Sequence, residues 1–181
     1  MTVPIRRKAS RLLPAGLLTL AACAGMPEYA KIPPTLAVPG NPKLAQEALA
    51  TGVQVYRCSP SEEKAAPPRW VLEGPDAALY TVDGIRLGHH GAGPTWMATD
   101  GSQVVGAVVA QVPSPDEKGV PWLLLNAKST QGRGVFAHTA YIQRVKTTGG
   151  KAPAEGCDAA HAGRQVRVPY TATYYFYDAK P

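Results

Sequence analysis

The stretch Gly88-His89-His90-Gly91-Ala92-Gly93-Pro94-Thr95-Trp96 gathers more potential chemistry than any other part of this 181-residue chain. Two imidazoles and an indole sit among three glycines and a proline, residue types that set an unusual backbone path. Asp100 follows shortly after, and His138 lies further along. As a group, His89, His90, Thr95, Trp96, Asp100 and His138 form the candidate ligand-binding set. The same region, His89, His90, Asp100 and His138, could instead serve a metal-assisted or acid/base hydrolase. Spacing limits that alternative. Neighbouring residues on a strand point to opposite faces, so His89 and His90 cannot share a metal on extended backbone. Neither His-x-His nor His-x-x-x-His occurs, so no metal ligands and no cofactor are assigned.

Other catalytic patterns are weaker still. Beyond residue 22 the serines are Ser59, Ser61, Ser102, Ser114 and Ser129, and none lies in Gly-x-Ser-x-Gly. Ser102, after Asp100-Gly101, reads as a turn residue. Glu73, Asp76, Asp83 and Asp100 fall near turns, with nothing to pair two of them across a sugar. There is no P-loop and no Cys-x-x-Cys-His. His138 falls in register with Phe136, Ala140 and Ile142 on a strand expected over 135–145, which suits a core histidine. His161, in a Gly/Ala-rich loop, reads as exposed and inert. A non-catalytic binding or structural module is therefore the leading expectation, with the hydrolase as its alternative.

The elements that must position these residues are mostly strands. Val53 to Cys58 alternates, as does the region of Trp70-Val71-Leu72. Leu79 to Val82, Asp83-Gly84 and Ile85 to Gly88 read as a hairpin, because Asp-Gly supplies the positive φ of a tight turn. Asp100-Gly101-Ser102 turns the chain into Gln103 to Val112, apolar on both alternating sets and so expected as a central strand buried on two faces. Trp122 to Lys128, Val135 to Val145 and Tyr170 to Tyr177 complete the set, separated by Pro-rich loops at 59–68, 113–121 and 146–164. In the last strand Tyr170, Tyr174 and Phe176 share a face suited to a core, and Tyr175 and Tyr177 take the semi-exposed face. Asn41-Pro42 as cap and first turn, Gly52 as stop and Leu44, Ala45, Ala48 and Leu49 between them predict one short N-terminal helix over 42–51. The expected fold is mainly β, an antiparallel β-sandwich or barrel with that helix.

The N-terminus speaks to location. Arg6, Arg7, Lys8 and Arg11 precede an apolar run from Leu12 to Ala22, a length typical of a signal peptide and too short to span a bilayer. Leu20-Ala21-Ala22-Cys23 resembles a bacterial lipobox, which implies cleavage after residue 22 and acyl chains on Cys23 as a stable membrane anchor. Ala24, where Asp would imply inner-membrane retention in enterobacterial-type sorting, implies the outer membrane, facing the periplasm. Residues 23–41, with Pro27, Pro33, Pro34, Pro39 and Gly40, read as a tether, and 42–181 as one β-rich domain. Without residues 1–22 the chain keeps 15 Lys and Arg against 13 Asp and Glu, so the formal charge falls from +6 to +2. No basic cluster remains, and nucleic acid is not an expected partner. A glycan or another envelope protein is. With Cys23 lipidated, Cys58 and Cys157 remain as a pair that an oxidising compartment would join.

Taken together, Val53-to-Cys58, Gly88-to-Trp96, Asp100-Gly101-Ser102, Trp122-Leu123-Leu124-Leu125, Thr148-Gly149-Gly150-Lys151-Ala152-Pro153 with Gly156-Cys157, and the closing Tyr170-to-Tyr177 run resemble the DUF3455 family. The resemblance covers roughly residues 36 to 178. It implies a secreted protein of bacterial or fungal type, and assigns no activity.

Overall fold

The computed structural model describes residues 31–40, 42–61 and 66–179. The leader, Cys23 and Asn41 lie outside them. Eight strands follow in chain order: β1 (Leu44–Ser59), β2 (Arg69–Tyr80), β3 (Arg86–Gly91), β4 (Thr95–Ala98), β5 (Gln103–Val112), β6 (Trp122–Gln131), β7 (Thr139–Gly149) and β8 (Gln165–Asp178). Each pairs with the next in antiparallel fashion, and β8 returns to β1 to close a barrel. Closure leaves no open sheet edge. The Asp83-Gly84 hairpin joins β2 to β3 as expected, with Gly84 at φ +80°.

The helix expected over 42–51 is absent, because β1 starts at Leu44. Its backbone pairs with β8 on one side and with β2 on the other. Helix propensity among Ala, Leu, Glu and Gln differs by fractions of about 1 kcal/mol per residue, and a strand bonded along both sides overrides it. Ala48 and Ala50 alternate on the inward face, both buried. Ala48 stands opposite Tyr174 of β8, where a small side chain leaves room for the ring.

Two apolar clusters flank the barrel wall. The inner one holds Trp96, Phe136, Tyr170, Tyr174 and Phe176 with Val104, Leu123, Leu125 and Ile142. The outer one is small: Leu36, Trp122, Leu124 and Val145, with Ile32, Val38 and Tyr175 against them. Consecutive residues of β6 alternate between the two, which is why Trp122 to Leu125 is buried on both faces. Residues 32–38 of the Pro-rich stretch thus pack on the outside of the barrel. Leu36 is fully buried there, and its carbonyl accepts a 2.6 Å hydrogen bond from Gln143 Nε2.

Two strand expectations need correction. β5 is not buried on both faces throughout: Val104 is buried, yet Val108 and Val109 are exposed. Their half of the strand lies at the open end of the barrel, beyond the packed interior. The strand expected over 135–145 instead runs from Thr139 to Gly149. Phe136 and His138 belong to the turn before it, where backbone N–H groups of Val135 and Phe136 bond to Asp100 and Ser102 rather than to a neighbouring strand.

Up-and-down topology sorts the loops into two sets. The β2–β3, β4–β5 and β6–β7 connections share one end, and the β1–β2, β3–β4, β5–β6 and β7–β8 connections share the other. A disulfide between Cys58 and Cys157 (S–S 2.03 Å) ties the end of β1 to the β7–β8 loop at the second end, as the cysteine pairing predicts.

Candidate functional site

The barrel interior is not filled along its whole length. At the end carrying the β3–β4 and β5–β6 loops lies a cavity of about 370 Å³. An eight-stranded barrel is of the size that can hold one small ligand. The floor is His90 stacked on Trp96, ring centroids 4.3 Å apart and planes within 5° of parallel. Tyr174 meets both rings edge-on, at 5.1 and 5.4 Å. Leu123, Leu125 and Val120 form apolar walls, and Leu72, Pro94 and Val108 also line it.

His90 is 2 % exposed. Its Nδ1 lies 2.9 Å from the Thr95 carbonyl oxygen. A carbonyl can only accept, so Nδ1 carries the hydrogen and Nε2 keeps its lone pair. Burial holds the pKa of this imidazole down to about 3, so it is neutral near pH 7.

Gln54 of β1, Arg144 of β7 and Tyr174 of β8 line the cavity from inward-facing strand positions, and Tyr170, not itself a lining residue, is buried in the inner cluster. Gln54 of β1 is 1 % exposed and its Nε2 has no hydrogen-bond partner. The hydroxyls of Tyr170 and Tyr174 on β8 are buried and equally without a partner of hydrogen-bond geometry. Burial raises the pKa of both phenols. Arg144 of β7 stands directly opposite Tyr174 in the sheet register. Its Nε and Nη2 donate to the Pro121 carbonyl at 3.1 and 2.9 Å, which fixes the guanidinium on the cavity wall. No described carboxylate forms an ion pair with it. Its charge opposes the burial effect at Tyr56, Tyr170 and Tyr174, and so reaches all three. Tyr56 OH donates to the Gly150 carbonyl at 2.7 Å, pinning the β7–β8 loop. Gly150 has φ +86°, and a Cβ there would come within 2.8 Å of Tyr170 Cβ and 3.0 Å of Val120. Only glycine lets the loop close in on the cavity wall.

The six candidate ligand residues do not meet. His90 and Trp96 line the cavity, and Thr95 contributes its carbonyl to orient His90. His89 points out of the barrel, its side chain 48 % exposed, with Nε2 2.9 Å from Asp76 Oδ1. Asp76 also pairs with Arg167, and these bonds lower its pKa, that from His89 most. Asp100 sits at the opposite end. Its Oδ1 accepts from Ser102 N and Oγ at 2.9 and 2.6 Å, and its Oδ2 from Val135 N at 2.9 Å. Ser102 Oγ in turn accepts from Phe136 N at 3.1 Å. The Ser102 hydroxyl, more than the backbone donors, holds the Asp100 carboxyl below its ordinary pKa. Gly134 leaves space for that carboxylate, since a Cβ there would fall 2.2 Å from Asp100 Oδ2. Asp100 is thus a structural clamp that seats Phe136. His138 is exposed in the same turn, lining a separate hollow with Thr139 and Asp178. His161 bonds Asp158 at 2.7 Å.

Among the described residues, no group of three or more His, Cys, Asp or Glu is placed to hold a metal ion. Gln54 and Arg144 are the cavity-lining residues that spacing could not reveal. Their signal is faint: a polar side chain on the inward set of an otherwise small or apolar alternation, as with Gln54 after Ala48 and Ala50.

No curated protein and no solved structure matches the chain. A family model described as a protein of unknown function, DUF3455, matches residues 38–178, and the chain belongs to that family.

Proposed function

We propose that this is a lipid-anchored envelope protein that acts as a non-catalytic binding module, with the barrel cavity as its binding site. The observation that carries the reading is the cavity of about 370 Å³ whose lining residues Gln54, Trp96 and Tyr174 hold buried polar atoms without partners. A buried polar group without a partner costs about 1 to 3 kcal/mol. Several of them around one space large enough for a small molecule suit a surface built to be completed by a ligand. The room accommodates a ring system or short chain and excludes a folded partner. The groups that a hydrolase would need are dispersed, and His90 holds no proton to donate from Nε2 near neutral pH. The placement at the envelope rests on Arg6 to Cys23, with the anchor at Cys23.

A neutral, apolar fluorescent probe, N-phenyl-1-naphthylamine, tests the site independently of charge. The full chain with its disulfide intact is expected to bind it saturably, with a rise in emission. Val108→Trp, at a cavity-lining position that is 52 % exposed, should abolish binding while leaving the melting temperature unchanged. Equal binding by this variant and its parent would move the site elsewhere.

A further inference from the structure

We infer that the cavity takes a small monocarboxylate with an apolar body, its carboxylate held at Arg144; the inference rests on the cavity being the binding site. Four observations converge on it. The buried polar atoms left unpartnered on lining residues can all donate: Gln54 Nε2, Trp96 Nε1 and the Tyr174 hydroxyl. Arg144, fixed by the Pro121 carbonyl through Nε and Nη2, keeps the N–H groups of Nη1 for another acceptor. Among the described residues, no Asp or Glu side chain lines the cavity. Beside His90, Tyr56 and Gln111, most of the remaining surface is apolar, with Trp96, Leu123, Leu125 and Val120 available to a hydrocarbon or aromatic body.

A carboxylate has two oxygens and accepts up to about four hydrogen bonds, which matches this donor set. One guanidinium favours one negative charge. A phosphate dianion would bring a second charge into a partly desolvated site that holds no second cation, since His90 stays neutral. An uncharged sugar would leave the Arg144 charge without a counter-ion. Inward positions of β1, β4, β7 and β8 provide the donors, and β7 and β8 place Arg144 beside Tyr174. The site is therefore built on strands, not on a flexible loop.

Competition for the naphthylamine probe, in the full chain with its disulfide intact, separates this inference from the broader reading. Phenylacetate and phenylacetamide share a body and differ in charge. The carboxylate is expected to displace the probe at about tenfold lower concentration than the amide. Arg144→Gln should remove that preference, and Arg144→Lys should keep part of it. Tyr174→Phe, which preserves the ring and removes the hydroxyl, should weaken phenylacetate several-fold more than it weakens phenylacetamide. Equal potency of acid and amide, or a preference that survives Arg144→Gln, overturns the monocarboxylate assignment and leaves the cavity as a neutral-ligand site. Failure of the probe to bind in a Val108-dependent way overturns both.

Discussion

The two ends of the barrel are closed by different means, and the contrast separates structure from function. At the end bearing the β2–β3, β4–β5 and β6–β7 connections, Phe136 fills the interior and packs on Phe176 with centroids 4.5 Å apart. The polar groups recorded at its clamp are used: the Asp100 carboxylate and the Ser102 hydroxyl accept from the backbone of the turn that carries Phe136. At the other end the interior stops at His90 and Trp96, and a cavity follows whose lining residues Gln54, Trp96 and Tyr174 keep polar atoms without partners. There the loop is fastened by a covalent bond, Cys58–Cys157, and by Tyr56 to Gly150. Buried atoms without partners occur at the clamp end too, at Thr139 Oγ1 and Asp178 Oδ1, but at the cavity end they sit on residues that enclose a mostly apolar space beside a fixed guanidinium. The cavity end is the one whose groups await a partner.

Breaking the fastenings should produce the largest effects. Replacing Cys58 and Cys157 with Ala releases a loop closed across a sequence separation of 99 residues. In the chain-entropy model this lowers unfolding free energy by about 4 to 5 kcal/mol, readable as the urea midpoint of oxidised parent against variant. Because the bond ties a rim loop, naphthylamine affinity should fall as well. Phe136→Ala at the closed end should cost about 3 to 5 kcal/mol in the same assay. Probe affinity measured well below the transition should stay close to that of the parent, since Phe136 does not line the cavity. A loss of binding in Phe136→Ala would show the two ends to be coupled.

The cavity floor gives a pH signature of intermediate size. His90 titrates at about 3 in the fold and at about 6.5 in the unfolded chain. As pH falls through 6.5 the unfolded state takes up a proton that the folded state refuses until about 3. Stability therefore drops across that window, by about 1.4 kcal/mol per pH unit. The lowered pKa of Asp100 acts in the same direction at the acid end, since its stabilisation is lost as the carboxylate protonates. Urea midpoints at pH 7, 5.5 and 4.5 should show the slope, and His90→Phe should flatten it above about pH 4.5.

The smallest effect has the opposite sign and is the most diagnostic. Gln54→Leu removes a buried donor that nothing in the fold uses, and should raise unfolding free energy by about 1 kcal/mol while weakening carboxylate binding. Lower stability in Gln54→Leu would mean that the Gln54 amide serves the fold, and the contrast between the two ends would lose its basis.

Much of this architecture could be read from residue patterns. Alternation in Val53 to Cys58 and in Tyr170 to Tyr177, and the turns at Asp83-Gly84 and Asp100-Gly101, located strands and reversals because period-two burial and positive-φ glycines are local properties. Tyr170, Tyr174 and Phe176 are buried and Tyr175 and Tyr177 half-buried, as their alternation predicts. Opposite faces for His89 and His90 followed from the same period. Residues 42–51 carry a helical pattern because Ala, Leu, Gln and Glu have helical propensity, while the requirement for small side chains opposite Tyr174 comes from a strand more than a hundred residues away. Asp100 and His138 looked like site residues because proximity in a motif says nothing about which end of a barrel each turn occupies.

From the sequence alone came the strand-rich class, the pairing of Cys58 with Cys157 and the turn roles of glycine, since each depends on local conformation or on a count of few alternatives. Tertiary structure alone decided that the sheet closes, that Phe136 plugs one end while a cavity stays at the other, and that Gln54, Arg144 and Tyr174 share it. Those residues lie on β1, β7 and β8, and the closure of the barrel between β8 and β1 is what brings them onto one wall. That closure is a long-range pairing, and no local pattern encodes it.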